Sequence, residues 1–164
     1  MLCPVRWTAE QAYDQLAPAV RGYFRGRGGR DPDDLTGDVF VNVTRGIGSF
    51  RGDAVALRRW VFTIAHNRLV DELRRAGHDP HVWTDMPPES ASAEVAVVVV
   101  DEILLAALAQ LGDDQREVVV LRFVADLPLK DVARIVGKSS GAVKMLQGRG
   151  LARLSELLAD RPQP

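Results

Sequence analysis

The residues best suited to chemistry lie near the end of the chain, where bases are interspersed with small hydroxylated side chains. Between residues 130 and 161, seven bases stand against three acids, a local charge of +4 in a chain whose net charge is −1. Clustered bases on a helical segment attract the phosphates of nucleic acid, although a solvated helix face has a similar composition. A nucleic-acid surface is therefore one hypothesis, and a structural helical hairpin is its alternative.

The spacing in this region is typical of a helix-turn-helix. A short apolar-patterned segment, 129–136, precedes a turn at Gly137, and a second segment, 140–158, begins with small polar residues. Small residues let a helix start approach DNA closely, and a helix N-terminus favours phosphate. Basic side chains that point outward from this helix would reach phosphates or the edges of guanines. The residues predicted to contact DNA here are Lys138, Ser139, Ser140, Gly141, Lys144 and Arg149.

The sequence offers no cluster suited to catalysis or metal binding. His66 has no paired ligand nearby, and no nucleophile–histidine–acid set, paired carboxylate site or zinc spacing is found. The glycine-rich run 26–29 follows no strand, so we predict a loop that breaks the first helix rather than a nucleotide cradle. We therefore expect neither an enzyme nor a bound metal or cofactor.

Composition indicates a folded, all-α protein. Hydrophobic residues make up 46% of the chain and aromatic residues 6%, without strand-like alternation. Because Cys3 is the sole cysteine, no internal disulfide can form, as in a reduced intracellular protein. The start of the chain does not read as a secretory signal, and acids interrupt its most apolar segment, 95–111. We expect a cytoplasmic protein that does not insert into membranes.

Capping residues and hydrophobic spacing predict the helices of the first half. Thr8 with Gln11 forms a capping box for a helix that reaches about Arg25. Asp31 is the expected N-cap of the next helix, with Pro32 at its first position. A third helix is predicted from about residue 54 to 75. Apolar side chains line one face of the second helix at Leu35, Val39, Val43 and Ile47, and of the third at Leu57, Val61, Ile64, Ala65, Leu69 and Leu73.

The second half is predicted to hold four more helices. The first begins near Ala93, although the β-branched run 97–100 locally favours strand. Asp113 is expected to cap a helix that reaches about Val124, followed by helices over 129–136 and 140–158. The inner face of the last helix is predicted to carry Val143, Leu146, Leu151, Leu154 and Leu158.

A change of composition divides the chain. Residues 77–92 are rich in proline and small polar residues and show no hydrophobic period, which indicates a flexible linker. We therefore predict two small helical domains, over 1–76 and 93–164.

Two sets of motifs resemble one known family. Residues 129–133, 136–137 and 141–144, with 115–123 before them, resemble region 4 of sigma factors, which contains a helix-turn-helix. The run 33–40 resembles the polymerase-binding stretch of region 2, and 50–52, 60–67 and 71–75 resemble its promoter-melting part. Both sets in this order, with no region 3 between them, resemble the extracytoplasmic-function (ECF) group of the sigma-70 family.

The resemblance implies a division of labour. The first domain would bind the β′ clamp of core RNA polymerase and recognise and melt the promoter −10 element. The second would read the −35 element and touch the β flap, and an anti-sigma factor is an expected partner. The polymerase contacts implied are Asp34, Asp38 and Phe40; the −10 contacts are Arg58, Trp60, Asn67, Arg68, Arg74 and Arg75. Leu35 and Val39 are better read as core, and Trp60 is more often core than a stacking platform in such a helix.

The sequence also departs from the family's pattern. Gly37 stands where glutamine is usual, Met145 and Leu146 replace the usual serine and arginine, and Leu151 stands where many members have arginine.

Two other classes of protein remain as alternatives. A stand-alone helix-turn-helix regulator would leave residues 33–75 without a role. An enzyme with a DNA-binding tail would need a catalytic cluster in the first domain.

Overall fold

A computed structural model describes residues 6–77 and 102–160. In these ranges the chain forms seven α-helices and one 3₁₀ turn, with no strand, so the all-α prediction is confirmed. Apart from Gly77, the linker predicted over 77–92 lies outside the described residues, as does the 97–100 run. The helices are α1 (Ala9–Arg27), α2 (Pro32–Gly46), α3 (Ala54–Arg75), α4 (Glu102–Ala109), α5 (Asp113–Phe123), α6 (Leu129–Val136) and α7 (Ser140–Ala159), and the 3₁₀ turn is Ile47–Ser49.

The first helices begin at the capping residues that the sequence predicts. The Thr8 hydroxyl accepts a hydrogen bond from the Gln11 amide at 3.1 Å, and the Gln11 side chain accepts one from the Thr8 amide at 3.0 Å. Asp31 caps α2 through the amide of Asp34, and Pro32 is the first helical residue. These local hydrogen bonds satisfy amides that a helix start leaves unpaired.

Two predictions about helix ends are wrong, and both errors have the same cause. Helix α1 does not break at Gly26 but continues to Arg27, with Gly28 as a left-handed cap at φ 74°. Helix α5 is preceded by Gly112 and has no side-chain cap, because Asp113 is its first residue. The Asp113 carboxylate instead accepts a hydrogen bond from Arg27 at 2.8 Å. This long-range contact stabilises the last turn of α1, and local sequence patterns contain no sign of it.

Helices α1, α2 and α3 form a first body, and α4 to α7 form a second. The predicted apolar faces of α2 and α3 are confirmed, although Ile64 is only partly buried. In the second body, Val132 of α6 and Val143 of α7 are fully buried on either side of a turn in which Gly137 has φ 67°. That turn joins two helices in the predicted helix-turn-helix arrangement.

The inner face of α7 differs from the predicted one. Val143 and Leu154 are buried as expected, but Leu151 and Leu158 are each 39% exposed. Gly150 lies on the buried side, where a Cβ atom would come within 2.8 Å of Val119 Cγ2. Contact between the α7 backbone and α5 at this glycine turns the two leucines toward solvent.

The two bodies pack against each other. Helix α1 contacts α4 and α5, helix α3 contacts α6, and the buried apolar residues of both bodies form one continuous cluster. The approach is close at two glycines of α1. A Cβ atom on Gly22 would lie 3.0 Å from the side chain of Val124, and one on Gly26 would lie 3.1 Å from that of Val120. The second body therefore rests directly on the first.

Two glycines of α7 should respond in opposite ways to replacement by alanine. A Cβ atom on Gly148 would meet nothing within 4 Å, so Gly148→Ala should raise the free energy of unfolding by about 1 kcal/mol through helix propensity. Gly150→Ala should lower it by about 1–2 kcal/mol, because the added methyl group overpacks against Val119. Urea unfolding of both variants tests this, and two changes of equal sign would contradict it.

Candidate nucleic-acid interface

Five of the six residues predicted to contact DNA in the second body lie at the start of α7. Ser140, Gly141, Lys144 and Arg149 are exposed. Ser139 is the N-cap, and its hydroxyl accepts a hydrogen bond from the Ala142 amide at 3.1 Å. Lys138 forms a 3.2 Å ion pair with Asp114 of α5. The structure thus brings Lys138, Ser139, Ser140, Gly141 and Lys144 to the start of α7, whereas Arg149 is exposed in the middle of that helix.

A residue that the sequence analysis missed holds this surface in place. Arg122 of α5 donates to the backbone oxygen of Leu127 at 2.6 Å and to the side chain of Gln147 in α7 at 3.1 Å. It therefore ties α7 to the loop that precedes α6. No local pattern marks Arg122 for this role, because its partners lie five and 25 residues further along the chain.

The residues predicted to contact the −10 element lie along α3 but in unequal environments. Asn67, Arg74 and Arg75 are exposed. Trp60 is half-buried and stacks on Phe50 with ring centroids 5.0 Å apart. The remaining two are engaged within the protein: Arg68 pairs with Asp38 at 2.7 Å, and Arg58 donates to the backbone oxygen of Ala125 at 3.0 Å.

The surface predicted to bind polymerase is built by α2 and α1 together. Asp34 is exposed, and Asp38 is partly exposed beside Arg68. Phe40 is only 7% exposed, because Tyr13 of α1 packs edge-on against it at 4.9 Å. Tyr13 and Val41 are the exposed apolar side chains here, each at 52%. Neither residue is predicted from the sequence, since neither belongs to the motif that carries the resemblance.

A buried cluster of charged and polar side chains joins the two bodies. Glu117 of α5 accepts a hydrogen bond from the Tyr23 hydroxyl at 2.9 Å, lies 2.9 Å from His66 Nδ1 and forms an ion pair with Arg27. Burial raises the pKa of Glu117, but the positive charge of Arg27 and the hydrogen bonds from His66 and Tyr23 outweigh it and lower that pKa to about 2. Glu117 is therefore an ionised carboxylate in the interface.

Arginines make further contacts across this junction. Arg116, next to Glu117, donates to the backbone oxygen of Gly26 at 2.6 Å. Burial lowers the pKa of Arg116 to about 10, and the nearby charge of Arg27 acts in the same direction. Arg59 of α3 lies 3.3 Å from the carboxylate of Asp131, which is buried in α6. Together with Arg27 at Glu117 and Arg58 at the backbone oxygen of Ala125, these make four arginines that hold the second body against the first.

Within residues 6–77 and 102–160, no group of three or more histidine, cysteine, aspartate or glutamate side chains is arranged to hold a metal ion. None of the helices in those ranges is both long and apolar enough to cross a membrane.

Comparisons with known proteins agree with this arrangement of helices. The Sigma-70 region 2 family matches residues 12–78, and the Sigma-70 region 4 family matches residues 107–156. RNA polymerase sigma factor CarQ of Myxococcus xanthus is 32% identical over 93% of this chain and 92% of its own length. The chain belongs to the sigma-70 family.

Two other relatives of this sigma-70 family chain are named as ECF sigma factors. The ECF RNA polymerase sigma factor BldN of Streptomyces coelicolor is 33% identical over 90% of this chain and 59% of its own length. The ECF sigma factor SigM of Mycobacterium tuberculosis is 36% identical over 80% of this chain and 66% of its own. The chain therefore spans less than two thirds of the length of these two relatives.

Two solved structures share the fold of this sigma-70 family chain. The sigma factor RpoE of Bartonella quintana, in complex with the anti-sigma factor NepR, has a TM-score of 0.74 at 25% identity and covers 93% of this chain and 98% of its own. CnrH, in complex with the cytosolic domain of CnrY, has a TM-score of 0.66 at 25% identity and covers 93% and 89%.

Proposed function

We propose that this chain is a transcription initiation factor that binds core RNA polymerase and directs promoter recognition and opening in the cytoplasm. The observation that carries the proposal is the order of its two family regions, region 2 followed by region 4. The exposed start of α7 in a helix-turn-helix supports it. A stand-alone regulator would use the second body alone and leave residues 12–78 without a role.

The proposed division of labour keeps the predicted domains, 1–76 and 93–164, with 77–92 between them. The surface of Asp34, Asp38 and Tyr13 would face the β′ clamp, with Phe40 as support beneath Tyr13. The exposed Asn67, Arg74 and Arg75 would face the −10 element, and the start of α7 the −35 element. An anti-sigma factor is proposed as a further partner, since the structural neighbour RpoE was solved in complex with the anti-sigma factor NepR.

This function requires the two bodies to separate on a promoter. The centres of the −10 and −35 elements lie about 25 base pairs apart, or about 85 Å at roughly 3.4 Å per base pair. In the structure α3 and α6 touch, and Arg58 is bonded to the second body. One chain cannot span both elements in this docked arrangement, so we propose that it opens when it joins polymerase.

A pull-down with core RNA polymerase followed by run-off transcription tests the proposal. We expect the full chain to bind core polymerase and to direct transcripts from promoters that core polymerase alone does not use. A chain that binds duplex DNA tightly without polymerase, and does not bind core, would favour the stand-alone regulator instead.

Reversing the charge at Asp34 should weaken binding to core RNA polymerase in the same pull-down, because the Asp34 carboxylate is exposed on α2.

Replacing Lys144 should weaken promoter binding in proportion to one lost phosphate contact. Lys144→Ala in the reconstituted holoenzyme should flatten the slope of log affinity against log salt by about one unit. Fluorescence anisotropy over a salt series measures this slope. Arg153→Ala is the matched control, because Arg153 lies further along α7 and pairs with Glu156 at 3.1 Å. An unchanged slope for Lys144→Ala would remove that residue from the interface.

Replacing Asn67 should impair opening of the promoter while sparing duplex binding. Asn67 is exposed on α3, and its amide can hydrogen-bond to the edge of an unpaired base. Asn67→Ala should therefore reduce permanganate reactivity of thymines in the bubble, with no matching loss of affinity for the closed duplex. Gln15→Ala, which removes an exposed amide from α1, is the control. Normal reactivity in Asn67→Ala would show that this assignment is wrong.

A further inference from the structure

The outermost face of α7 is almost devoid of hydrogen-bonding side chains. At 3.6 residues per turn, Gly141, Met145, Gly148 and Ala152 fall on one stripe. All four positions are exposed: Met145 is 56% exposed, and a Cβ atom on either glycine would meet nothing within 4 Å. The opposite side of the helix, with Val143, Gly150 and Leu154, is buried.

The charged side chains of α7 flank this stripe rather than lying on it. Lys144 falls on one side and Arg149 on the other, and both are exposed. When the basic side chains of a recognition helix contact the two phosphate backbones, the stripe between them faces the floor of the major groove. The glycines add no side chains there, so the helix backbone can lie close to the base pairs. Met145 is then the longest side chain that reaches the base edges.

We propose that Met145 is a specificity-determining residue that contacts the 5-methyl group of a thymine in the −35 element. This inference rests on the proposed function. In the major groove, the thymine methyl is the apolar feature of the base edges, whereas guanine, adenine and cytosine offer hydrogen-bonding groups. A thioether side chain has almost no hydrogen bond to offer and favours apolar contact. Met145 therefore selects thymine by its methyl group.

The test removes that methyl group alone. Holoenzyme is reconstituted from the full chain and core RNA polymerase, and bound duplexes are selected from a library randomised over the upstream element. Each thymine of the selected sequence is then replaced singly by deoxyuridine, and affinity is measured. One position should lose about fourfold in affinity with the unaltered chain, the effect of uncovering one methyl group. With Met145→Ala, the thymine and deoxyuridine duplexes should bind equally.

Two further variants sharpen the assignment. Leu151→Ala removes an apolar side chain of similar size that is exposed on the same helix but off the stripe, and it should keep the fourfold methyl effect. Met145→Gln supplies the paired donor and acceptor that match adenine, so repeated selection should replace thymine by adenine at the same position. Both variants place residues on an exposed helix face, where they fit without repacking.

The outcomes separate this inference from the function on which it rests. If no thymine responds to deoxyuridine, or if Met145→Ala keeps the response, Met145 does not read thymine, although the holoenzyme still binds promoters. If Met145→Ala leaves DNA binding unaltered but abolishes capture of a protein partner, the stripe is a protein-binding surface and the inference is wrong. If the holoenzyme retains no duplex above core polymerase, the proposed function fails and the inference fails with it.

Discussion

Replacing Glu117 by glutamine should lower the free energy of unfolding by about 3–5 kcal/mol, the largest effect expected of any single substitution considered for this chain. The change keeps the shape of the side chain but removes the negative charge that Arg27 and His66 face. A buried positive charge that loses one counter-charge is strongly destabilising, because burial has already removed its hydration. Chemical denaturation followed by circular dichroism at neutral pH measures the difference.

A surface variant and a pH series serve as controls for Glu117. Glu156→Gln removes an exposed partner of Arg153 and should change stability by less than about 0.5 kcal/mol. The folded-state pKa of Glu117 is about 2, below the unfolded value. The stabilisation that the ionised Glu117 carboxylate contributes is therefore complete above the unfolded pKa of about 4.3 and is lost as pH falls toward 2. The difference in the free energy of unfolding between the unaltered chain and Glu117→Gln should therefore narrow over that pH interval. A constant difference would contradict the role given to the Glu117 carboxylate.

Replacing Gly26 by leucine should separate the two bodies without unfolding either one. Gly26 is buried in the last turn of α1, and even a Cβ atom there would lie 3.1 Å from Val120 Cγ2 of α5. Leucine also favours helix over glycine by nearly 1 kcal/mol, so α1 itself should persist. A compact chain of this length has a radius of gyration near 15 Å. We expect small-angle scattering to show an increase of several ångströms, with the helical circular dichroism signal retained.

Gly37→Leu is the matched control for this steric effect. Gly37 lies in α2 with nothing within 4 Å of a Cβ position, so the same side chain should leave the radius of gyration unchanged. If Gly26→Leu also leaves it unchanged, Val120 moves aside and the contact at Gly26 does not control docking. A loss of helical signal in Gly26→Leu would mean that the two bodies depend on each other to fold.

Several elements could be predicted from sequence because they depend on neighbouring residues. The capping box at Thr8 and Gln11 is made within four residues of chain, and so is the Asp31 cap with Pro32 after it. The apolar faces of α2 and α3 follow from helical periodicity alone. The grouping of Lys138 to Lys144 at the start of α7 also follows from local spacing, because a helix and its cap bring these residues to one end.

The failures of prediction all involve partners far apart in sequence. Helix α1 extends past Gly26 because Arg27 meets Asp113 and Glu117, which lie 86 and 90 residues further along the chain. Leu151 turns outward because the backbone at Gly150 approaches Val119. Phe40 is covered by Tyr13 from another helix. Each depends on how helices pack, and hydrophobic periodicity does not encode which helices meet.

The amino-acid sequence by itself determined the helical class, the order of the two motif sets and the positions of the helix-turn-helix residues, since these depend on caps, turns and spacing along the chain. Only the tertiary structure decided that the second body docks on the first through Glu117, and that Arg58 and Arg59 face protein as a result. The reason is physical. A buried ionised carboxylate is stable only where its counter-charges converge on it, and that convergence is a property of three-dimensional packing.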